Sequence, residues 1–168
     1  MDLGLSARAN IVVPNRSHLD RVHRLLERYS PSLSIRVLSS LADGDESLDA
    51  IDDLLTELDA TPREVHLIAG TSGFRISYEL PNGREILVKH IRPLRLPETC
   101  STCQFNNETD CQEGYYGVRL YRDLSGEFHV GVCIQRMDLC MPVSEFVRSG
   151  LCDEVKELRD QEYFNLSA

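Results

Sequence analysis

Near the start of the chain, the hydrophobic and polar positions change from a strand-like to a helical pattern. Residues 7–13 form an apolar run rich in β-branched side chains, closed by Pro14, and predict a buried strand. Apolar residues then recur every three or four positions through residues 17–29, which predicts an amphipathic helix. Ser17 is the expected N-cap of this helix, and Pro31 ends it.

The same alternation is repeated once more along the chain. Residues 33–39 predict a second strand, and residues 47–58 predict a second helix with its apolar side chains on one face. A β-α-β-α order is typical of parallel sheets. Two such units are a poor independent domain, because both faces of their sheet need cover. Residues 1–62 are therefore expected to be a piece of a larger fold.

A different pattern begins after Pro62. Short alternating strands are joined as two hairpins, and Asn82-Gly83 supplies the first turn with the positive φ angles that a tight hairpin needs. Two short helices close the chain, so the class expected for the whole sequence is α/β, with a hairpin-rich α+β second part at residues 63–168. The predicted elements of this part are strands at residues 65–70, 74–80, 84–91, 117–123 and 127–134 and helices at residues 142–149 and 152–164.

Composition limits the classes of partner. The chain has 168 residues, of which 42% are hydrophobic, so it is long enough to bury a core. Its 27 acidic residues outnumber its 18 basic ones and give a formal net charge of −9. This charge argues against nucleic acid or an anionic membrane as a partner. The sequence shows neither a signal peptide nor an apolar run long enough to span a membrane, which predicts a soluble, cytoplasmic protein.

All six cysteines lie between Cys100 and Cys152, and this clustering indicates a metal site. Cys100 and Cys103 form a CxxC pair, which puts two thiolates at one turn, within reach of a single metal ion or one face of a cluster. Cys111 follows in a polar loop, and a hairpin returns Cys133 towards the pair. Cys100, Cys103, Cys111 and Cys133 are therefore the predicted metal ligands.

The cysteine spacing alone leaves two kinds of site open. A four-cysteine zinc knuckle that only joins loops fits it at least as well as an iron–sulfur cluster. A redox-active CxxC is disfavoured, because no strand–CxxC–helix context surrounds Cys100. Cys140 and Cys152 lie next to helical apolar positions and are expected in the core. The five histidines form no recognisable hydrolase motif.

Several segments together resemble the C-terminal half of radical-SAM enzymes of the type that cyclises GTP in molybdenum-cofactor biosynthesis. Residues 8–13, RANIVV, are similar to the K-x-N-x-V-x barrel strand of that family, and residues 35–44, IRVLSSLADG, to its I-R-F-I-E-x-M-x-x-G strand. Residues 74–103 resemble the hairpin that leads into the CxxC of an auxiliary [4Fe–4S] cluster. Residues 117–133 resemble the hairpin that bears the third cysteine of that cluster. The likeness covers residues 5–134.

The resemblance implies a fold and a set of cluster ligands. Residues 1–62 would be the C-terminal βα units of a partial, open β/α barrel, and residues 63–168 would be an auxiliary-cluster domain. The CxxC pair and Cys133 would bind the [4Fe–4S] cluster. Cys111 lies in an inserted loop and would fill the fourth coordination site, which the cyclases leave open for substrate. A fully ligated cluster points to electron transfer or a structural role.

The resemblance also implies contacts with cofactor and substrate. Asn10 would contact S-adenosylmethionine, and Leu41 would pack near the adenosyl group. Arg8 and Arg36 would face the substrate cavity. Arg119 matches an arginine that binds substrate phosphate, although its usual partner two residues earlier is a glycine here. The alternatives are structural roles as strand-end, core and surface residues.

Nothing in the sequence matches the Cys-x3-Cys-x2-Cys loop that binds the SAM-cleaving cluster in this superfamily. We therefore expect the chain to be inactive alone and to be a fragment, the auxiliary-cluster portion of a longer radical-SAM enzyme that modifies a small molecule, nucleotide or peptide. The expected partners are that substrate, an electron-donor protein, and either a second copy of the chain or the N-terminal barrel half. The alternative is a zinc-stapled protein-interaction module without catalysis.

Overall fold

The structure is a computed structural model that describes residues 7–107 and 110–167. These residues form a mixed α/β structure with eight strands in two sheets and four helices. The α/β class predicted from the sequence is therefore confirmed. The described residues divide into two compact units, each with its own hydrophobic core.

The first compact unit contains the described residues up to Leu67 together with Phe74–His90. Its elements are β1 (Arg8–Val13), α1 (Leu19–Arg28), β2 (Ser34–Ser39), α2 (Gly44–Glu57), β3 (Thr61–Leu67), β4 (Gly73–Glu79) and β5 (Glu85–Ile91). The strands form one sheet in the order β1-β2-β5-β4-β3. β1, β2 and β5 are parallel neighbours, whereas β3 and β4 are antiparallel. Within the part of the chain that the structure describes, this sheet is open and forms no barrel.

Both helices cover the same face of this sheet. Ile35 and Val37 of β2 point towards the helices and are fully buried, whereas the residues between them point to the other face. Burial of each such side chain stabilises the fold by roughly 1.5–3 kcal/mol. The first core contains Val13, Leu19, Val22, Ile35, Val37, Ala50, Ile51, Leu54, Leu55, Leu80, Ile86 and Val88.

The start of α1 differs from the prediction. The Asn15 side chain, rather than Ser17, acts as the cap, because Asn15 Oδ1 accepts a hydrogen bond from the Ser17 backbone N–H at 3.1 Å. A 3₁₀ turn at Arg16–His18 then leads into α1. Serine and asparagine have similar preferences for the N-cap position. The residue types alone therefore did not show which of Asn15 and Ser17 would be the cap.

The β4–β5 hairpin was predicted, but the expected conformation of its turn was wrong. Only Gly83 has a positive φ, at +76°, whereas Asn82 does not. The Asn82 side chain instead accepts a hydrogen bond from the Arg84 backbone N–H at 3.0 Å, so it stabilises the turn as an acceptor. This hairpin, expected in the second domain, joins the first sheet through the parallel pairing of β5 with β2.

Arg84 joins this hairpin to the end of α1. Its side chain is only 3% exposed. The guanidinium donates hydrogen bonds to the backbone oxygens of Leu26 at 2.7 Å, Tyr29 at 2.9 Å and Leu33 at 3.3 Å. Buried carbonyl groups without a partner are costly, so Arg84 satisfies three acceptors at once.

The second compact unit contains Ile68–Gly73 and the described residues from Ile91 onward. Its strands form an antiparallel sheet in the order β6-β7-β8, and its core lies between this sheet and the helices. No described helix is long and apolar enough to cross a membrane. The elements are β6 (Arg119–Arg122), β7 (Phe128–Gly131), β8 (Met141–Pro142), α3 (Val143–Phe146) and α4 (Gly150–Ser167).

A partly buried ion pair fixes the C-terminal part of α4. Arg92 donates two hydrogen bonds to the Glu162 carboxylate, at 2.6 and 2.8 Å. The same carboxylate accepts a bond from the Gly70 backbone N–H at 2.6 Å. Arg92 also donates to the Thr71 carbonyl. The short segment Ile68–Gly73 is thereby attached to α4 within the second unit.

Candidate metal centre

Cys100, Cys103, Cys111 and Cys133 line one cavity of the second unit. All four are free thiols and are partly buried. The CxxC pair forms a turn in which the Cys103 backbone N–H donates to the Cys100 carbonyl at 3.2 Å. Cys133 lies two residues beyond the end of β7. The structure therefore brings the four predicted ligands to a single cavity, while Cys152 lies buried in the core.

Two of the sulfurs accept hydrogen bonds from the backbone. The Leu96 N–H lies 3.3 Å from Cys100 Sγ, and the Gln135 N–H lies 3.4 Å from Cys133 Sγ. Such donors stabilise negative charge on sulfur and orient a metal-binding thiolate. Four thiols with this hydrogen bonding fit a thiolate-bound metal ion or iron–sulfur cluster.

The electrostatics around the cavity are mixed. Burial raises the pKa of the Cys100 thiol, while the nearby Arg95 guanidinium acts in the opposite direction. Arg136 hydrogen-bonds to Asp138 and to Cys103, and these bonds raise the pKa of Arg136 above its usual value. A buried thiol becomes a thiolate when a bound metal compensates its charge. Arg95 and Arg136 add positive charge beside the sulfurs.

No three of the four described cavity sulfurs lie within 4.8 Å of one another. Zn–S bonds of about 2.3 Å in a tetrahedron hold sulfurs about 3.8 Å apart. Among the described residues, the only three potential ligand atoms within 4.8 Å of one another lie elsewhere, on Asp123, Glu127 and His129. Every set of three cysteine sulfurs in the cavity therefore includes a pair that is farther apart. A cluster binds its thiolates through separate iron atoms and does not require three sulfurs so close together.

Arg95 holds the loop that carries Cys111. Its guanidinium donates to Asn106 Oδ1 at 2.7 Å and to the Cys111 carbonyl at 2.5 Å. Gly114 leaves room for this side chain: it has φ +72°, and a Cβ there would lie 1.9 Å from Arg95 Nη1 and from the Leu94 carbonyl. Position 114 therefore requires glycine for both its backbone conformation and its close contacts.

Tyr115 completes the inner wall of the cavity. Its side chain is 2% exposed, and its backbone N–H donates to the Leu94 carbonyl at 2.7 Å. Burial raises the pKa of the Tyr115 hydroxyl to about 12. The Tyr115 hydroxyl is therefore uncharged at physiological pH.

The residues assigned to cofactor and substrate by resemblance lie partly together. Asn10 of β1 and Arg36 of β2 are register partners, and Arg8 lies on the same face of β1 as Asn10. Leu41 follows β2 in a turn and is 36% exposed. These four residues belong to the first unit.

Arg119, by contrast, begins β6 in the second unit. Its guanidinium lies 4.1 Å from the centroid of the Tyr116 ring, which is a cation–π contact. This contact orients Arg119 by packing on an aromatic ring.

The sequence analysis missed the two arginines of the cysteine cavity. Arg95 lies shortly before the CxxC pair and Arg136 shortly after Cys133, so both flank the motif in sequence. Arginines that flank a cysteine motif in sequence are a signal for side chains that compensate the negative charge of the thiolates. Their actual contacts depend on the loop conformation, which the pattern does not give.

A second group, Asp123, Glu127 and His129, was also not predicted. It lies at the β6–β7 turn, where both carboxylates are exposed to solvent. Asp123 Oδ1 accepts hydrogen bonds from the Ser125 hydroxyl at 2.7 Å and from the Glu127 N–H at 2.9 Å. These bonds give Asp123 a role in the turn, and we assign no ion to this group.

Comparisons of the chain with protein-family models, with curated proteins and with solved structures find no match.

Proposed function

We propose that the chain binds a [4Fe–4S] cluster through Cys100, Cys103, Cys111 and Cys133. The observation that carries the proposal is the arrangement of four thiols around one cavity, where two of the sulfurs accept backbone hydrogen bonds. The sequence resemblance favours a cluster over a zinc ion at this site. A bound cluster would supply a centre that accepts and donates electrons. The four cysteines would satisfy every iron, which favours electron transfer or a structural role over direct binding of substrate.

The surrounding residues support this role. The backbone N–H groups of Leu96 and Gln135 point at sulfurs, and hydrogen bonds to thiolates help to set the reduction potential of such a centre. Arg95 and Arg136 offset part of the negative charge of four thiolates. The buried Tyr115 side chain forms part of the cavity wall.

We further propose that the chain is the auxiliary-cluster portion of a radical-SAM enzyme that modifies a small molecule, nucleotide or peptide. The sequence resemblance supports this, as does the parallel set β1, β2 and β5 with both helices on one face, which is compatible with βα units of an open barrel. Asn10 and Leu41 would contact S-adenosylmethionine. Arg8, Arg36 and Arg119 would bind substrate.

The proposal also includes a cytoplasmic location and three kinds of partner. An electron-donor protein would reduce the cluster, and the substrate would be the second partner. A strand from a second copy of the chain, or from an N-terminal barrel half, would cover the open edge of β1.

The test is to measure iron, zinc and acid-labile sulfide after anaerobic purification, beside the visible absorption spectrum. About four irons and four sulfides per chain, with broad visible absorption, are the expected result. One zinc ion without sulfide would refute the cluster and leave a zinc-stapled interaction module. Absence of both metals would refute the metal site itself.

A further inference from the structure

Four cationic side chains are gathered on the face of the first sheet that the helices leave uncovered. Arg36 of β2 is in register with Leu87 of β5, so Lys89, two residues further on, points to the same face as Arg36. Arg8 occupies this face of β1, two residues before the register partner of Arg36. Lys89 and Arg8 therefore lie on the strands to either side of Arg36.

Arg75 of β4 joins this group. The Phe74 ring stacks on the His90 ring at 5.1 Å, so these two residues share the helix-covered face. Their neighbours Arg75 and Lys89 consequently point to the opposite face. Arg75 is close enough to Arg36 for the two guanidinium groups to repel each other.

Two nitrogen atoms of the Arg36 guanidinium have no hydrogen-bond partner among the described residues. Its Nε and Nη2 atoms are buried and donate no hydrogen bond. Burial lowers the pKa of Arg36, and the nearby charges of Arg75 and Arg8 lower it further. Buried charges in proteins are normally paired, so this arrangement is unfavourable without a bound anion.

Two carboxylates on the same sheet are engaged elsewhere, while Glu85 of β5 shares a face with Lys89. Glu79 pairs with Arg63 at 2.8 Å, and Glu64 lies 3.5 Å from His66. Among the described residues, neither Arg8, Arg36 nor Arg75 forms an ion pair. The local excess of positive charge contrasts with the net charge of −9 of the chain.

We propose that Arg36, with Arg8, Arg75 and Lys89, forms a binding site for the oxyanion group of a small molecule, either a phosphate or a carboxylate. The planar guanidinium donates two parallel hydrogen bonds to such a group, which would satisfy the orphaned Arg36 nitrogens. The converging cations add electrostatic attraction in a partly desolvated place. Arg75 and Lys89 received no role from the sequence.

The proposal concerns the first unit and requires no metal. Only the statement that the oxyanion belongs to the enzyme's substrate rests on the proposed function. Failure of the anion site would leave the iron and sulfide content of the protein unchanged, and failure of the cluster would leave anion binding unchanged. The two proposals are therefore tested separately.

The experiment is calorimetric titration of the full chain, at low ionic strength, with inorganic phosphate, with malonate and with chloride. We expect saturable binding of phosphate or malonate but not of chloride, and the tighter of the two identifies the group that the site accepts. Arg36→Met and Arg75→Met should each weaken this binding at least tenfold. Arg148→Met is the matched control, because it removes one positive charge from an exposed position of the second unit, and it should retain wild-type affinity.

Thermal unfolding shows whether a variant loses binding because it no longer folds. Because Arg36 is repelled by its neighbours, Arg36→Met should unfold at the same or a higher temperature than the wild type in chloride. Phosphate or malonate should raise the unfolding temperature of the wild type but not that of Arg36→Met. The proposal is overturned if neither oxyanion binds the wild type, if Arg36→Met binds as tightly, or if Arg148→Met loses as much affinity.

Discussion

The Thr99 hydroxyl donates a 2.5 Å hydrogen bond to Glu154 Oε2, which ties the residue just before Cys100 to helix α4. Glu154 Oε1 also accepts the backbone N–H groups of Thr99 at 3.0 Å and Glu98 at 2.5 Å. The Glu154 side chain is nearly buried. One carboxylate therefore fixes the start of the CxxC turn.

Replacing this carboxylate should loosen the cysteine cavity. We expect Glu154→Gln to lower the free energy of unfolding by about 2 kcal/mol, because hydrogen bonds to a charged group are lost or weakened. Urea denaturation measures this change, and metal retention during dialysis against a chelator should fall with it. Glu157→Gln, at an exposed position on the same helix, should change neither quantity. Equal stability of both variants would show that Glu154 does not hold the turn.

The cysteine assignment makes a direct prediction about metal content. Cys100→Ala and Cys103→Ala should each abolish metal binding and destabilise the second unit, because the binding energy of a structural metal contributes to folding. Cys152→Ala should keep the full metal content and cost about 1 kcal/mol of stability, since Cys152 lies in the core. Metal analysis and thermal unfolding give both readouts. Unchanged metal in both CxxC variants would exclude these ligands.

Gly83 and Gly114 have similar backbone angles but different surroundings. Substitution of each by alanine therefore distinguishes the cost of backbone strain from the cost of steric overlap. Gly83 has φ +76° with open space around it, whereas Gly114 has φ +72° and close neighbours. We expect Gly83→Ala to cost about 1–2 kcal/mol, which is the penalty of a left-handed conformation. Gly114→Ala should cost more and should also reduce metal content, because Arg95 must move. Chemical denaturation of the two variants, with metal analysis, makes the comparison.

Arg84 should matter for stability but not for metal. We expect Arg84→Met to lower the free energy of unfolding by roughly 3 kcal/mol or more, because three carbonyl groups lose their donor in a buried place. Arg24→Met, at an exposed position of α1, is the control and should be nearly neutral. Metal content should equal that of the wild type in both variants. A loss of metal in Arg84→Met would show that Arg84 also matters for the cysteine cavity.

Tyr115 should make stability fall at high pH. Its pKa is about 12 in the folded protein, against about 10 in an unfolded chain. Below pH ~10 both states are protonated; as pH rises from about 10 to about 12, only the unfolded state loses this proton, so stability decreases. Tyr115→Phe should show a shallower decrease in urea midpoint over this range. Tyr163→Phe, at an exposed site, should follow the wild type.

Local periodicity was enough to predict most elements. The apolar run at residues 7–13 became β1, and the helical spacing at residues 152–164 lies within α4, Gly150–Ser167. These patterns depend only on residues that are close in sequence, so the elements can be predicted from the sequence alone. The pairing of β2 with β5 was not predicted, since strand order depends on contacts between distant segments.

The same distinction holds for the sites. The four cysteines could be grouped because their spacing and one hairpin bring them together. The cluster of cations around Arg36 could not, because it draws one residue from each of four strands whose order was unknown. Charged residues that are far apart in sequence are indistinguishable from ordinary surface residues. Only the order and register of the strands show that they lie on one face of the sheet.

The position of β5 between β2 and β4 has a consequence for how the first sheet assembles. β5 joins the antiparallel part of the sheet, built from neighbouring segments, to the parallel part, built from distant ones. Hairpins close over short loops, so β4 and β5 should pair early and then offer β5 as the template on which β2 docks. Amide hydrogens of β5 should therefore be among the first to become protected in refolding, and those of β1, which needs β2 in place, among the last.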